Sequence, residues 1–150
     1  DDDHYAELLK SLRVHGKGVD KYDNIRIGMN SRLDTIQAAI LIEKLVEFPR
    51  ELIMRNDHAQ KYNELYYDLF DTPVVPEGYR SSWAQYTLKT DKRDLAISEF
   101  KAKGIPTAIY YRNCLHQQTA FKGLKFTDAD VPAASILAKQ VFSLPMHAYL

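Results

Sequence analysis

Asn30 and Arg32 place an amide and a guanidinium two residues apart, in a loop that leads into the most continuous apolar run of the sequence. Both side chains donate hydrogen bonds, and the start of a helix adds unpaired backbone N–H groups and the positive end of the helix dipole. Together these groups favour an anion. The alternative is that the two side chains only tie the loop down, and their spacing alone does not exclude it.

A second set of side chains that could line a cleft lies at the end of a predicted strand. Tyr110 and Tyr111 end this strand, and His116 follows in the next loop. Because alternate residues of a strand face opposite sides, one of the two tyrosines is expected in the core. A lone loop histidine is more often structural than functional. The five histidines have no paired spacing, so we predict no metal site.

Composition and charge exclude several function classes. The sequence has 20 basic and 20 acidic residues, so no net charge attracts nucleic acid or an anionic membrane. The apolar run near residues 38–42 is too short to span a bilayer, and the polar beginning of the chain is not typical of a signal peptide. The single Cys114 suits a reducing compartment and is expected as a small core residue. We therefore expect a cytoplasmic protein.

The loop that carries Asn30 is predicted to lie between two helices. Apolar residues at helical spacing predict a helix over the first dozen residues, and residues 14–29 lack any apolar period. Asp34 is a good N-cap for a helix that starts at about Thr35, and Gln37 can reach back as in a capping box. Pro49 fits the first turn of a further helix, because its missing N–H would be unpaired there.

The second half of the sequence predicts a small α+β arrangement. Alternation over residues 84–89 predicts a strand, and Asp91 and Gly104 are placed to begin and end the next helix. Residues 107–111 are rich in β-branched and aromatic types and predict a second strand. Further along the chain, the patterns predict a helix over residues 132–141 and a short strand over residues 142–144.

Several motifs follow one another in an order that is more specific than any one of them. They are Leu12-Arg13-Val14-His15-Gly16, Tyr22, Gly28-Met29-Asn30-Ser31-Arg32-Leu33-Asp34, Gln37-Ala38-Ala39-Ile40-Leu41, Ser82-Trp83-Ala84-Gln85-Tyr86-Thr87, Gly104-Ile105-Pro106-Thr107-Ala108-Ile109-Tyr110-Tyr111, Leu115-His116 with Gln118, and Leu144-Pro145-Met146-His147 with Tyr149-Leu150. In this order they closely resemble the DegT/DnrJ/EryC1/StrS family of sugar aminotransferases, which are pyridoxal 5'-phosphate (PLP) enzymes acting on nucleotide-linked keto-sugars.

The resemblance implies an α/β fold of the fold-type I PLP transferases. Residues 1–48 would be the end of the large PLP-binding domain, with its interface loop and helix. Residues 49–150 would be a connecting helix and a small α+β C-terminal domain. The Schiff-base lysine of the family would lie before this chain, so no catalytic residue is predicted within it.

The resemblance also implies a site shared between two subunits of a homodimer. Asn30 would reach the PLP phosphate of the partner subunit, and Arg32 would lie near the sugar or its diphosphate. Tyr110 and Tyr111 would touch the sugar; many relatives have histidine at the first position, and Tyr110 is the better candidate of the two. His116 would line the same cleft.

The implied activity is transfer of an amino group from an amino acid, expected to be glutamate, to a nucleotide-linked keto-sugar of polysaccharide or antibiotic biosynthesis. The chain alone would be inactive without the lysine. Two alternatives stay open. A member of the same family that replaces the lysine would carry out dehydration. A non-catalytic α+β module, built on strand, helix and strand over residues 84–111, would bind a ligand or a partner.

Overall fold

The structure is a computed structural model that describes residues 1–20, 22–121 and 123–150. It divides into two compact units, Asp1–Glu47 and Phe48–Leu150. The elements in chain order are α1 (Asp3–Leu12), α2 (Thr35–Tyr66), β1 (Tyr86–Lys89), α3 (Arg93–Ala102), α4 (Pro132–Gln140) and β2 (Val141–Leu144), with short 3-10 turns at Leu115–Gln117 and Thr119–Phe121. None of the helices in the described ranges combines the length and apolarity needed to cross a membrane. The assignment of residues 1–48 to a large domain stays a prediction.

The first unit is held by backbone contacts more than by side chains. Asp2 caps α1 by accepting hydrogen bonds from the backbone N–H groups of its first turn. The following loop folds back on itself where two glycines meet. A Cβ on Gly28 would lie 2.2 Å from the backbone nitrogen of Gly16, and a Cβ on Gly16 would lie 1.9 Å from the carbonyl oxygen of Arg26. Only residues without a side chain allow this approach.

Helix α2 begins at Thr35, as the sequence predicts. The Asp34 N–H donates to Gln37 Oε1 at 3.1 Å, which is the reach-back half of a capping box. The predicted helix start at Pro49 is wrong, because α2 runs through Pro49 without a break. Proline in a helix interior removes one backbone hydrogen bond, yet the residues on both sides of Pro49 remain helical.

The core of the second unit is aromatic and lies where α2 crosses the small sheet. Tyr86, Leu88 and Phe142 are fully buried. Phe70 packs edge-to-face on Phe142, with ring centroids 5.6 Å apart. The ring centroids of Tyr62 and Tyr86 are 4.9 Å apart. Offset and edge contacts of this kind stabilise a core beyond the area they bury.

The sheet has two antiparallel strands, β1 and β2, in a register that pairs Tyr86 with Leu144 and Lys89 with Val141. The strand predicted at residues 107–111 is wrong, because only Ala108 pairs there, in an isolated bridge to Ser143. The chain turns at Tyr110 and ends the pairing. High β-propensity means that the side chains suit a pleated surface. It does not supply the partner strand that pairing requires.

Helix α3 differs from prediction at its start and agrees at its end. Its N-cap is Lys92, with no side-chain hydrogen bond, so the predicted cap at Asp91 is wrong. The Asp91 carboxylate instead accepts a hydrogen bond from the Gln140 amide at the end of α4. Gly104 follows the helix with φ of +74°, which confirms the predicted left-handed residue.

Candidate functional site

Asn30 is fixed by backbone pairing on both sides. The Ser31 N–H donates to the Arg13 carbonyl at 2.9 Å, and the His15 N–H donates to the Met29 carbonyl at 3.0 Å. These bonds tie the residues around Asn30 to the end of α1. A fixed backbone limits the directions in which the Asn30 side chain can point.

The structure brings the side chains of Asn30 and Arg32 together. Arg32 Nε donates a hydrogen bond of 3.1 Å to Asn30 Oδ1, and both residues are exposed. Because the amide oxygen faces the guanidinium, the groups that Asn30 has left for a ligand are its N–H donors. The pair lies just before the first turn of α2. A directed amide donor beside a guanidinium fits an oxyanion such as a phosphate.

Tyr110 and Tyr111 line an open cavity of about 570 Å³. Its other lining residues are mostly apolar and come from the following segment, from α4 and from the start of β2: Asn113, Cys114, Leu115, Gln118, Ala134, Leu137, Ala138 and Val141. The expectation that one tyrosine is core is wrong, because Tyr110 is 43% and Tyr111 73% exposed. Both residues lie in a turn, so strand alternation does not apply to them.

His116 is not among the described residues that line this cavity. Its Nε2 is 2.7 Å from Asp128 Oδ1, and its side chain is 11% exposed. The same carboxylate oxygen accepts hydrogen bonds from Gln117 Nε2 at 2.8 Å and from Ser135 Oγ at 3.1 Å. Hydrogen bonding, first from His116 and then from Gln117 and Ser135, lowers the pKa of Asp128. A contact between His116 and a substrate stays a prediction.

Sequence reasoning missed Asp128. Its three partners are 12, 11 and 7 residues away and do not share a helix or strand with it, so no periodicity of one element relates them. The one local signal is the polar turn Thr127-Asp128-Ala129-Asp130, where Asp130 bonds the Thr127 N–H. That signal predicts a turn and gives no indication of a shared carboxylate. In the described part of the chain, no group of three or more His, Cys, Asp or Glu residues could hold a metal ion.

Comparison with known proteins places this chain in a family. The model of the DegT/DnrJ/EryC1/StrS aminotransferase family matches residues 1–150. The chain belongs to the DegT/DnrJ/EryC1/StrS family. Members of this family depend on PLP, whose phosphate is an oxyanion of the kind that the remaining N–H donors of Asn30 fit.

Three relatives in the DegT/DnrJ/EryC1/StrS family show how far the likeness extends. UDP-2-acetamido-2-deoxy-3-oxo-D-glucuronate aminotransferase of Pseudomonas aeruginosa is 40% identical over 150 residues, which are 99% of this chain and 41% of the relative. dTDP-3-amino-3,4,6-trideoxy-alpha-D-glucose transaminase of Streptomyces venezuelae is 32% identical over 99% of this chain and 40% of the relative. A crystal structure of a family aminotransferase from Brucella abortus is 46% identical and superposes with a TM-score of 0.89, covering 99% of this chain and 40% of that one. The chain therefore has the fold of the matching part of PLP fold-type I sugar aminotransferases and spans about 40% of their length.

Proposed function

We propose that the complete protein is a PLP-dependent aminotransferase that moves an amino group from glutamate to a nucleotide-linked keto-sugar, in polysaccharide or antibiotic sugar biosynthesis. The observation that carries the proposal is the 40% identity, over 150 residues, to an aminotransferase named for a UDP-linked 3-oxo sugar acid. Residues 1–150 would supply the binding half of a shared site. The Schiff-base lysine would come from protein outside these residues, so the chain alone would be inactive.

Asn30 and Arg32 would serve the anionic parts of cofactor and substrate. PLP, when bound, supplies the electron sink and carries the amino group between the two substrates. The Asn30 amide would donate to its phosphate across the interface of a homodimer, adding a directed hydrogen bond without another charge near the lysine. Arg32 orients that amide through its hydrogen bond to Oδ1 and would offer its planar fork to the sugar diphosphate.

Tyr110 and Tyr111 would bind the sugar. Both residues line the cavity of about 570 Å³, and their ring centroids are 5.8 Å apart. Each ring offers an apolar face for the carbon skeleton and a hydroxyl that can donate to or accept from a sugar oxygen. The mostly apolar wall behind them suits a substituent that lacks hydroxyl groups.

The proposal is tested on the complete protein with PLP, glutamate and UDP-2-acetamido-2-deoxy-3-oxo-D-glucuronate. Formation of 2-oxoglutarate is the readout for activity, and a PLP titration followed by absorbance is the readout for the phosphate contact. Asn30→Asp removes the donors and places a carboxylate opposite a phosphate, so we expect PLP affinity to fall at least about tenfold.

Asn24→Asp is the matched control, because it makes the same change in the same loop, where Asn24 is also exposed. We expect this variant to bind PLP as the wild type does. Equal PLP affinity in both variants would remove Asn30 from the cofactor site. Covalent PLP binding by residues 1–150 alone would contradict the placement of the lysine outside them.

A further inference from the structure

One carboxylate oxygen joins three segments of the second unit. Asp128 Oδ1 accepts from His116 and Gln117 in the 3-10 turn Leu115–Gln117, and from Ser135 in the first turns of α4. An ionised acceptor makes each of these bonds stronger than a bond between neutral groups. Three donors on one oxygen also form a network in which each bond restricts the others.

This network continues to one wall of the cavity beside the tyrosines. Gln117 donates to Asp128 through its amide nitrogen, and its amide oxygen accepts from the Cys114 N–H at 3.0 Å. Cys114 and Leu115 line the cavity. The path from Asp128 to that wall is therefore two hydrogen bonds long.

A second wall of the cavity belongs to α4. Ala134, directly before Ser135 in the sequence, lines the cavity together with Leu137. Because Ser135 is bonded to Asp128, the carboxylate is connected to both walls at once. Asp128 itself does not line the cavity in the described residues and touches it only through these partners.

We propose that Asp128 is a positioning residue that sets the separation of the two walls and so the fit of the sugar beside Tyr110 and Tyr111. This inference rests on the proposed function, which places the sugar in that cavity. It also gives His116 a role outside the cavity lining, where its ring bonds Asp128 and needs no contact with substrate. A gap of about 0.5–1 Å between a wall and the sugar forfeits roughly a quarter to a half of their dispersion attraction, so binding of the sugar weakens.

The test compares Asp128→Ala with Asp130→Ala in the complete protein. Asp130 is the matched control because it lies in the same turn and bonds only Thr127 among the interactions described. With the UDP-linked 3-oxo substrate named above, we expect Asp128→Ala to raise KM about tenfold while kcat and PLP affinity change little. Asp130→Ala should leave KM within about twofold of the wild type.

A second readout does not depend on the reaction. Cys114 is partly buried in the cavity wall, and its alkylation by iodoacetamide, followed by peptide mass spectrometry, reports how open that wall is. We expect alkylation to be about tenfold faster in Asp128→Ala and unchanged in Asp130→Ala, because local opening controls access to a part-buried thiol. Asp128→Asn, which keeps an acceptor oxygen and loses the charge, should fall between wild type and Asp128→Ala in both readouts, and it carries the test if Asp128→Ala does not fold.

The outcomes separate the two proposals. Faster alkylation with an unchanged KM would overturn the link from Asp128 to the sugar, and unchanged alkylation would overturn the positioning role. If the wild type transfers no amino group to the keto-sugar, the proposed function fails. In that case the alkylation rates still decide whether Asp128 positions the wall.

Discussion

The two units of this chain are fixed by different means. In Phe48–Leu150, large side chains such as Tyr86, Leu88 and Phe142 are fully buried. In Asp1–Glu47, Gly16 is the one residue classed as buried within the described part. The first unit is ordered by glycine contacts and backbone hydrogen bonds, and the second by packed rings. A segment can therefore be ordered by backbone pairing without a core. We expect a unit ordered in this way to gain less stability from its side chains than a unit with packed rings.

The first unit also exposes much of its apolar surface. Ile42 is 63% and Leu45 69% exposed on α2, and Leu9 is 63% exposed on α1. An exposed apolar surface of this extent is typical of a region that other protein covers. Burial contributes roughly 25 cal/mol for each Å² of apolar surface removed from water, so side chains that stay exposed contribute little.

The largest expected effect comes from removing a ring in the second unit. Phe142 is fully buried between Phe70 and Phe100, so Phe142→Ala should lower the free energy of unfolding by about 3–5 kcal/mol. The fluorescence of Trp83, the single tryptophan, follows denaturant unfolding of this unit. Ile42→Ala removes a large apolar side chain that is exposed in the first unit. We expect this variant to lower the free energy of unfolding by less than about 0.5 kcal/mol. If Phe142→Ala and Ile42→Ala lowered the free energy of unfolding by similar amounts, the claim that only the second unit depends on buried side chains would be contradicted.

A smaller effect is expected where the first unit depends on its backbone. Gly28→Ala would place a methyl group 2.2 Å from the Gly16 nitrogen and 2.6 Å from the Leu12 carbonyl oxygen, and neither backbone atom can rotate away. We expect the loop to open at a cost of about 3 kcal/mol, the upper end for overpacking. Hydrogen exchange at the Met29 amide, which bonds Leu12, should then be roughly 100-fold faster.

The matched control for this variant is Gly123→Ala, since nothing lies within 4 Å of a Cβ at that position. Its exchange rates should equal those of the wild type. Protection of the Met29 amide that survives in Gly28→Ala would show that the first unit does not depend on the close glycine contact.

Local signals predicted the ends of elements better than their extent. Gln37 and Gly104 act through neighbouring backbone, so sequence alone located a helix start and a helix end. Pro49 misled because its one missing backbone hydrogen bond does not end a helix of 32 residues, and a local signal gives no indication of that length. Residues 107–111 misled because strand formation needs a partner, which propensity does not encode.

The candidate site also divides into contacts between sequence neighbours, which could be predicted, and contacts between distant residues, which could not. Asn30 and Arg32 are close in sequence, and the spacing located a pair that the structure brings together. Asp128 was missed because its partners are brought together by the path of the chain through two turns and a helix. Contacts of that kind become visible only when the fold is known.

The smallest expected effect sharpens the comparison through tyrosine ionisation. Tyr86 is fully buried and donates to Asn63 Oδ1 at 2.6 Å, and burial, with nearby Tyr62 and Tyr66, raises its pKa from 10.0 to about 12. The unfolded chain therefore releases this proton before the folded chain does, so the stabilisation is complete below pH 10 and is lost as the pH rises to 12. We expect the free energy of unfolding to fall by about 2 kcal/mol over this interval. Tyr86→Phe should remove most of this pH dependence and should cost roughly 1 kcal/mol at neutral pH for the lost hydrogen bond.

The control is Tyr5→Phe, which changes a tyrosine of the first unit that is 62% exposed, and the pH dependence should persist in this variant. A Tyr86→Phe variant that keeps the full alkaline slope in denaturant titrations followed through Trp83 would assign the effect to other groups and weaken the claim that buried rings set the stability of the second unit.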